Sequence, residues 1–170
     1  MKKIGLLFIA AIMAFSVNAQ KFAFVDTEYI LDRIPSYKAA QDQIDKISSE
    51  YENELETMYS EVEKLYKSYQ NEKVLLTEEQ RSQKEEAIIA SEKQIKELQQ
   101  KYFGPEGAVF QKRQELVKPI QDEVYIVVKE IALEGGYAVI FDTSSGAGIL
   151  YENARYNKSD DVLEKLGYTN

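Results

Sequence analysis

The chain has 170 residues, 44% of them hydrophobic and 29% charged, with 29 acids against 21 bases and a formal net charge of −8. It contains no His and no Cys, so the commonest general base, the commonest metal ligand and every thiol are missing, and catalytic triads, zinc sites and disulfides are largely excluded. The acidic balance also lacks the electrostatic footprint of a nucleic-acid binder.

Residues 1–19 have Lys2 and Lys3, then an unbroken apolar stretch from Ile4 to Phe15, then Val17-Asn18-Ala19 before Gln20. Basic head, apolar middle and small residues at the cut predict a cleavable secretory signal. The apolar stretch falls short of the ~20 residues needed to span a bilayer. With no Cys after the cut there is no lipoprotein anchor, and losing Lys2 and Lys3 takes the net charge from −8 to −10.

Residues 20–35 predict a first base strand, the apolar run Phe22 to Val25, and a short helix. Pro35 suits a first helical turn, and beyond it apolar residues recur at Ala40, Ile44, Ile47, Tyr51, Leu55, Met58, Val62, Leu65 and Tyr69. The steps alternate between three and four except at Tyr51 to Leu55, where a second step of four locally relaxes a left-handed supercoil. Thr77 and Gln80 form a capping-box pattern, with Glu78 and Glu79 in the first turn of a second helix. Its stripe, Ile88, Ser91, Ile95, Leu98 and Tyr102, predicts an antiparallel hairpin over residues 36–103. At 1.5 Å per residue its first arm is about 55 Å long, far beyond the size of the base, and the arm is expected to project into solvent.

Gly104-Pro105-Glu106-Gly107 and Pro119 predict interruptions of the return path, with Gly104, Pro105, Gly107 and Pro119 as candidate hinge residues. Residues 104–170 are then expected to hold a base helix, two strands and a C-terminal helix. Val109, Phe110, Leu116, Ile120, Val124, Val127 and Ile131 form the helix stripe expected to lie on the base sheet, and Gly135-Gly136 ends it. Tyr137 to Asp142 and Ile149 to Tyr151 read as strands joined by a flexible turn over Ser144 to Gly148, and Ser159 as the cap of a helix from Asp160 to Leu166. That turn lacks the Lys and glycine spacing of a phosphate loop. The expected fold class is α+β: a long antiparallel helical hairpin on a small β base. Phe22, Phe24, Val139, Ile140 and Phe141 are its candidate core, and three strands with open edges favour assembly between copies.

Lys21-Phe22-Ala23-Phe24-Val25-Asp26-Thr27-Glu28-Tyr29-Ile30-Leu31 with Pro35, the charged hairpin, Leu116 with Pro119-Ile120, and Gly136-Tyr137 leading into Val139-Ile140-Phe141-Asp142 together resemble the Skp (OmpH-like) periplasmic chaperones. The resemblance covers the whole mature chain. It implies a periplasmic homotrimer in which short strands form a shared β body and three helical arms enclose unfolded outer-membrane proteins without ATP, enzymatic activity or a cofactor. For such a role Met58, Tyr59, Tyr66 and Tyr69 are candidate client-contacting arm residues, against the alternative that they widen the hairpin seam. The better-known relatives are basic, whereas acids outnumber bases here between Gln41 and Phe103, which argues against lipopolysaccharide or anionic membrane binding. Two other classes stay open: a scaffolding coiled coil of the cell envelope, and a carboxylate-only enzyme, for which no paired, embedded acids stand out.

Overall fold

The computed structural model describes residues 20–146 and 148–168, so the expected signal segment lies outside the described residues. In chain order the elements are β1 (Lys21–Val25), α1 (Thr27–Leu31), α2 (Pro35–Glu72), α3 (Glu78–Phe103), α4 (Ala108–Leu116), α5 (Lys118–Gly135), β2 (Tyr137–Asp142), a 3-10 turn (Ala154–Tyr156) and α6 (Ser159–Lys165). Among the described residues no helix is long and apolar enough to cross a membrane. The chain divides into two compact units: Met1–Arg33 with Val124–Asn170, and Ile34–Glu123.

In the second unit α2 and α3 form the hairpin. Pro35 opens α2 in its first turn, where a missing N–H costs nothing. Thr77 caps α3 through a complete capping box: Gln80 N–H donates to Thr77 Oγ1 at 3.3 Å, and Thr77 N–H donates to Gln80 Oε1 at 3.0 Å. Between the helices, buried Leu55, Ile95 and Tyr102 gather with Tyr51, Met58, Val62 and Leu98. Each fully buried side chain of this size stabilises by about 1.5–3 kcal/mol. Nearer the turn, buried Tyr69 donates its hydroxyl to Glu85, and Lys84 pairs with Glu72 at 2.8 Å.

Helix α3 stops at Phe103, and the chain turns through Gly104–Gly107 before α4 begins. Both glycines have ordinary φ values, −64° and −69°, so glycine is required there for space. A Cβ on Gly107 would stand 2.6 Å from the Tyr102 carbonyl oxygen. A second break separates α4 from α5 at Val117, and Pro119 falls in the first turn of α5.

The segment after Gly104 departs from expectation. Val109, Leu116 and Ile120 pack with Ala40, Ile44 and Val117 rather than on the strands, so the unit boundary falls near Glu123 and not at Gly104. The reason is geometric: the turn at Gly104–Gly107 lets the stripe resume against the same face of α2 that α3 covers farther along.

In the first unit β1 and β2 pair in parallel, with Phe22 opposite Val139, Ala23 opposite Ile140 and Phe24 opposite Phe141. Ala23 and Val25 are buried, and the alternation of a strand puts Phe22 and Phe24 on the opposite face. Gly136, at φ +63°, makes the left-handed turn from α5 into β2. The expected third strand is absent: Ile149–Tyr151 has no regular structure, and Leu150 is fully exposed. The other edge of β1 is instead taken by Asn157, which bridges Phe24, while Lys158 N–H donates to Phe24 O at 2.8 Å. Ser159 also has a different role. Lys158 occupies the cap position of α6, and Ser159, 3% exposed, accepts a 2.9 Å hydrogen bond from Asp26 N–H. An N–H at the entry to α1 is thereby satisfied within the unit.

Asp142, at the end of β2, ties the strand to α1. Its carboxylate accepts from Thr27 N at 3.2 Å, Thr27 Oγ1 at 2.8 Å, Ser144 N at 3.1 Å and Ser144 Oγ at 2.8 Å. Desolvation pushes this carboxyl up, but the bonds from Thr27 and Ser144 outweigh it and hold the group below its ordinary value.

Candidate functional site

The four candidate arm residues separate into two pairs. Tyr69 is 4% exposed and Met58 packs against the Leu55, Ile95 and Tyr102 cluster, so both belong to the hairpin seam. Tyr59 and Tyr66 are 51% and 52% exposed and lie one heptad apart on the outer face of α2.

Tyr59 borders an open groove that sequence reasoning missed. Glu52, Leu55, Glu56 and Tyr59 stand at positions i, i+3, i+4 and i+7 of α2, and Gln99 and Phe103, one turn apart, face them from α3. Leu55 is buried, and Phe103 keeps 39% of its surface exposed. A firm layer lies alongside: the Tyr51 ring stacks on Tyr102, Phe103 meets Tyr51 edge-on at 6.4 Å, and Tyr102 Oη donates to Glu54 Oε2 at 2.9 Å. That hydrogen bond raises the Tyr102 pKa above its ordinary value, because it favours the neutral phenol. The helical spacing was visible in the sequence. What was not visible is that Phe103, just past the last seam position, turns to the same side as Tyr59.

Along the same face Glu63 pairs with Lys67 at 2.6 Å, and the hydrogen bond to Lys67, then its charge, holds the carboxyl low. Glu52 and Glu56 make neither an ion pair nor a side-chain hydrogen bond among the described residues. Of the candidate base residues, Phe22, Val139 and Phe141 are 48%, 47% and 43% exposed, while Phe24 and Ile140 are half-buried. Ring contacts Phe22–Phe24 at 5.9 Å, Phe24–Phe141 at 5.8 Å and Phe22–Tyr156 at 5.6 Å make an aromatic sheet face. Among the described residues no cluster of acids could hold a metal ion.

A long antiparallel helical hairpin in one unit and a small parallel sheet with an aromatic face in the other define an α+β fold. The chain belongs to the OmpH-like outer membrane protein family, whose model matches residues 21–166. The fold is similar to that of a candidate OmpH-like outer membrane chaperone from Caulobacter crescentus CB15, with a TM-score of 0.63 and 13% identity, over 86% of this chain and 83% of that one. No curated protein matches the sequence.

Proposed function

We propose that this chain is an ATP-independent periplasmic holdase that encloses unfolded outer-membrane proteins between helical arms and keeps them from aggregating. Membership of the OmpH-like family supports a chaperone role. The observation that carries the reading is the half-exposure of Tyr59, Tyr66 and Phe103 beside a seam that is already filled. Rings with an apolar body and, in tyrosine, a polar tip suit many weak contacts to a changing partner. The exposed apolar face of Phe22, Phe24, Val139 and Phe141 supports self-association through the sheets, which the reading takes as a homotrimer, since a patch of this kind marks an interaction surface. The acidic arms fit polypeptide clients and speak against nucleic acid, lipopolysaccharide or an anionic membrane as partner. The reading needs no cofactor and no catalytic group, and Gly104, Pro105, Gly107 and Pro119 all fall inside the hairpin unit, whose turn is tightly packed at Gly107. A rigid envelope scaffold fits less well, because the α2 stripe stutters at Tyr51–Leu55 and the return path breaks twice.

The test is dilution of an unfolded outer-membrane barrel from urea into ATP-free buffer containing the protein, followed by light scattering. Scattering is expected to be suppressed. A variant lacking residues 59–72 and 84–97, two heptads from each helix, is expected to remain trimeric by sedimentation yet lose protection. Full protection by the shortened variant would overturn the arm mechanism, and a monomeric parent would overturn the assembly.

A further inference from the structure

The groove beside Leu55 combines apolar surface with two uncompensated negative charges. Glu52 and Glu56 are exposed and one helical turn apart, where like charges repel. Neither has a cation or donor among the described residues, whereas Glu54 accepts from Tyr102 Oη at 2.9 Å and Glu63 is paired with Lys67 at 2.6 Å. The same groove is lined by Tyr59, Phe103 and the edge of Leu55. A lysine or arginine stem can lie on such a surface with its charge against the carboxylates, and a cation within about 6 Å of a ring face gains further attraction. The ridge from Glu52 to Tyr66 is about 21 Å long at the helical rise, which matches roughly six residues of extended chain at ~3.3 Å each.

We infer that this groove selects extended polypeptide segments in which a Lys or Arg lies two residues from an aromatic or large aliphatic side chain, so that both face the groove. The inference rests on the client-binding reading and adds its chemistry. Charge complementarity identifies the occupant: acidic segments, nucleic acid and anionic lipid would all meet Glu52 and Glu56 unfavourably.

The probe is a short Trp/Lys peptide repeating Trp-Ala-Lys-Ala, which sets Trp and Lys on one face when extended, with a Trp/Glu peptide repeating Trp-Ala-Glu-Ala of equal length for comparison. The protein has no Trp, so tryptophan fluorescence reports the peptide alone. The full chain is compared with E52Q/E56Q and with E79Q/E92Q, which removes the same charge elsewhere on α3. The Trp/Lys peptide is expected to bind the parent and E79Q/E92Q equally, and E52Q/E56Q roughly three- to tenfold more weakly, as suits two exposed charge contacts. Added salt should narrow that difference, and the Trp/Glu peptide should bind the parent at least tenfold more weakly. Equal binding by E52Q/E56Q and parent, an equal loss in E79Q/E92Q, equal affinity for the two peptides, or no binding of either would each overturn the groove assignment. Protection of an unfolded barrel is measured on the same samples. A parent that binds Trp/Lys through Glu52 and Glu56 but protects no barrel upholds the groove and removes the holdase, and the converse result does the reverse.

Discussion

The rings of Tyr51 and Tyr102 lie face to face, 3.9 Å between centroids and 3° from parallel. On α2, Tyr51 begins the extra step of four to Leu55 that breaks the heptad, and on α3, Tyr102 is the last seam residue before the helix ends at Phe103. The irregularities of the two helices therefore coincide, and a flat stack fills the space where regular interdigitation of side chains fails. Tyr51→Ala is expected to destabilise the hairpin unit by about 1–3 kcal/mol in urea unfolding, since a half-buried ring leaves a partial cavity. In a Tyr102→Ala background the same change should cost clearly less, and strict additivity would show that the rings do not couple.

Gly107→Ala tests how tightly the turn is packed. Gly107 is the N-cap of α4, outside the helix interior where alanine would gain, and glycine is favoured over alanine at such a position. The new methyl would also sit 2.6 Å from the Tyr102 carbonyl oxygen and 2.8 Å from the Gly104 nitrogen, so a net loss of about 1–3 kcal/mol is expected from overpacking. Circular dichroism melts of parent and variant decide it, and a rise in midpoint would mean that the turn adapts freely.

Acid should loosen the sheet unit through Asp142. Its folded carboxyl lies below the ordinary value of 3.8, so its contribution is complete above about pH 4 and is lost as pH falls through the lower folded value. Asp142→Asn should flatten this part of the pH profile and cost about 1 kcal/mol near neutrality, a modest figure because solvent partly screens the site. Urea unfolding between pH 3 and 7 makes the comparison, and parallel profiles for the two proteins would contradict it.

Val139 and Ile140 should answer differently to charge. Val139 is 47% exposed on the aromatic face, and Ile140 pairs with buried Ala23. Val139→Lys is expected to yield a folded monomer, because the charge faces solvent once copies separate. Ile140→Asp is expected to unfold the sheet unit as well, because its charge is half-buried without a partner. Sedimentation with melts at several concentrations distinguishes them; the parent midpoint should rise with concentration if assembly stabilises the fold.

The helices were legible in the sequence because their signals are local. A 3.6-residue period, Pro35 in a first turn and the Thr77–Gln80 box act within a few residues, and α2 and α3 begin where those signals place them. The parallel strand runs at Lys21–Val25 and Tyr137–Asp142 were equally plain as apolar runs, though not their direction. Choice of partner was decided by the tertiary structure. A stripe states which face of a helix is apolar, and it already held Met58 and Tyr69 but not Tyr59 and Tyr66; what it does not state is that α4 shares the α2 face with α3. Likewise, Ile149–Tyr151 has strand character, yet Asn157 takes the β1 edge, because Lys158 N–H reaches Phe24 O while Ser159 satisfies Asp26 N–H. Pairing across a hundred residues depends on which backbone groups are brought within hydrogen-bond reach, and no window of sequence contains that information.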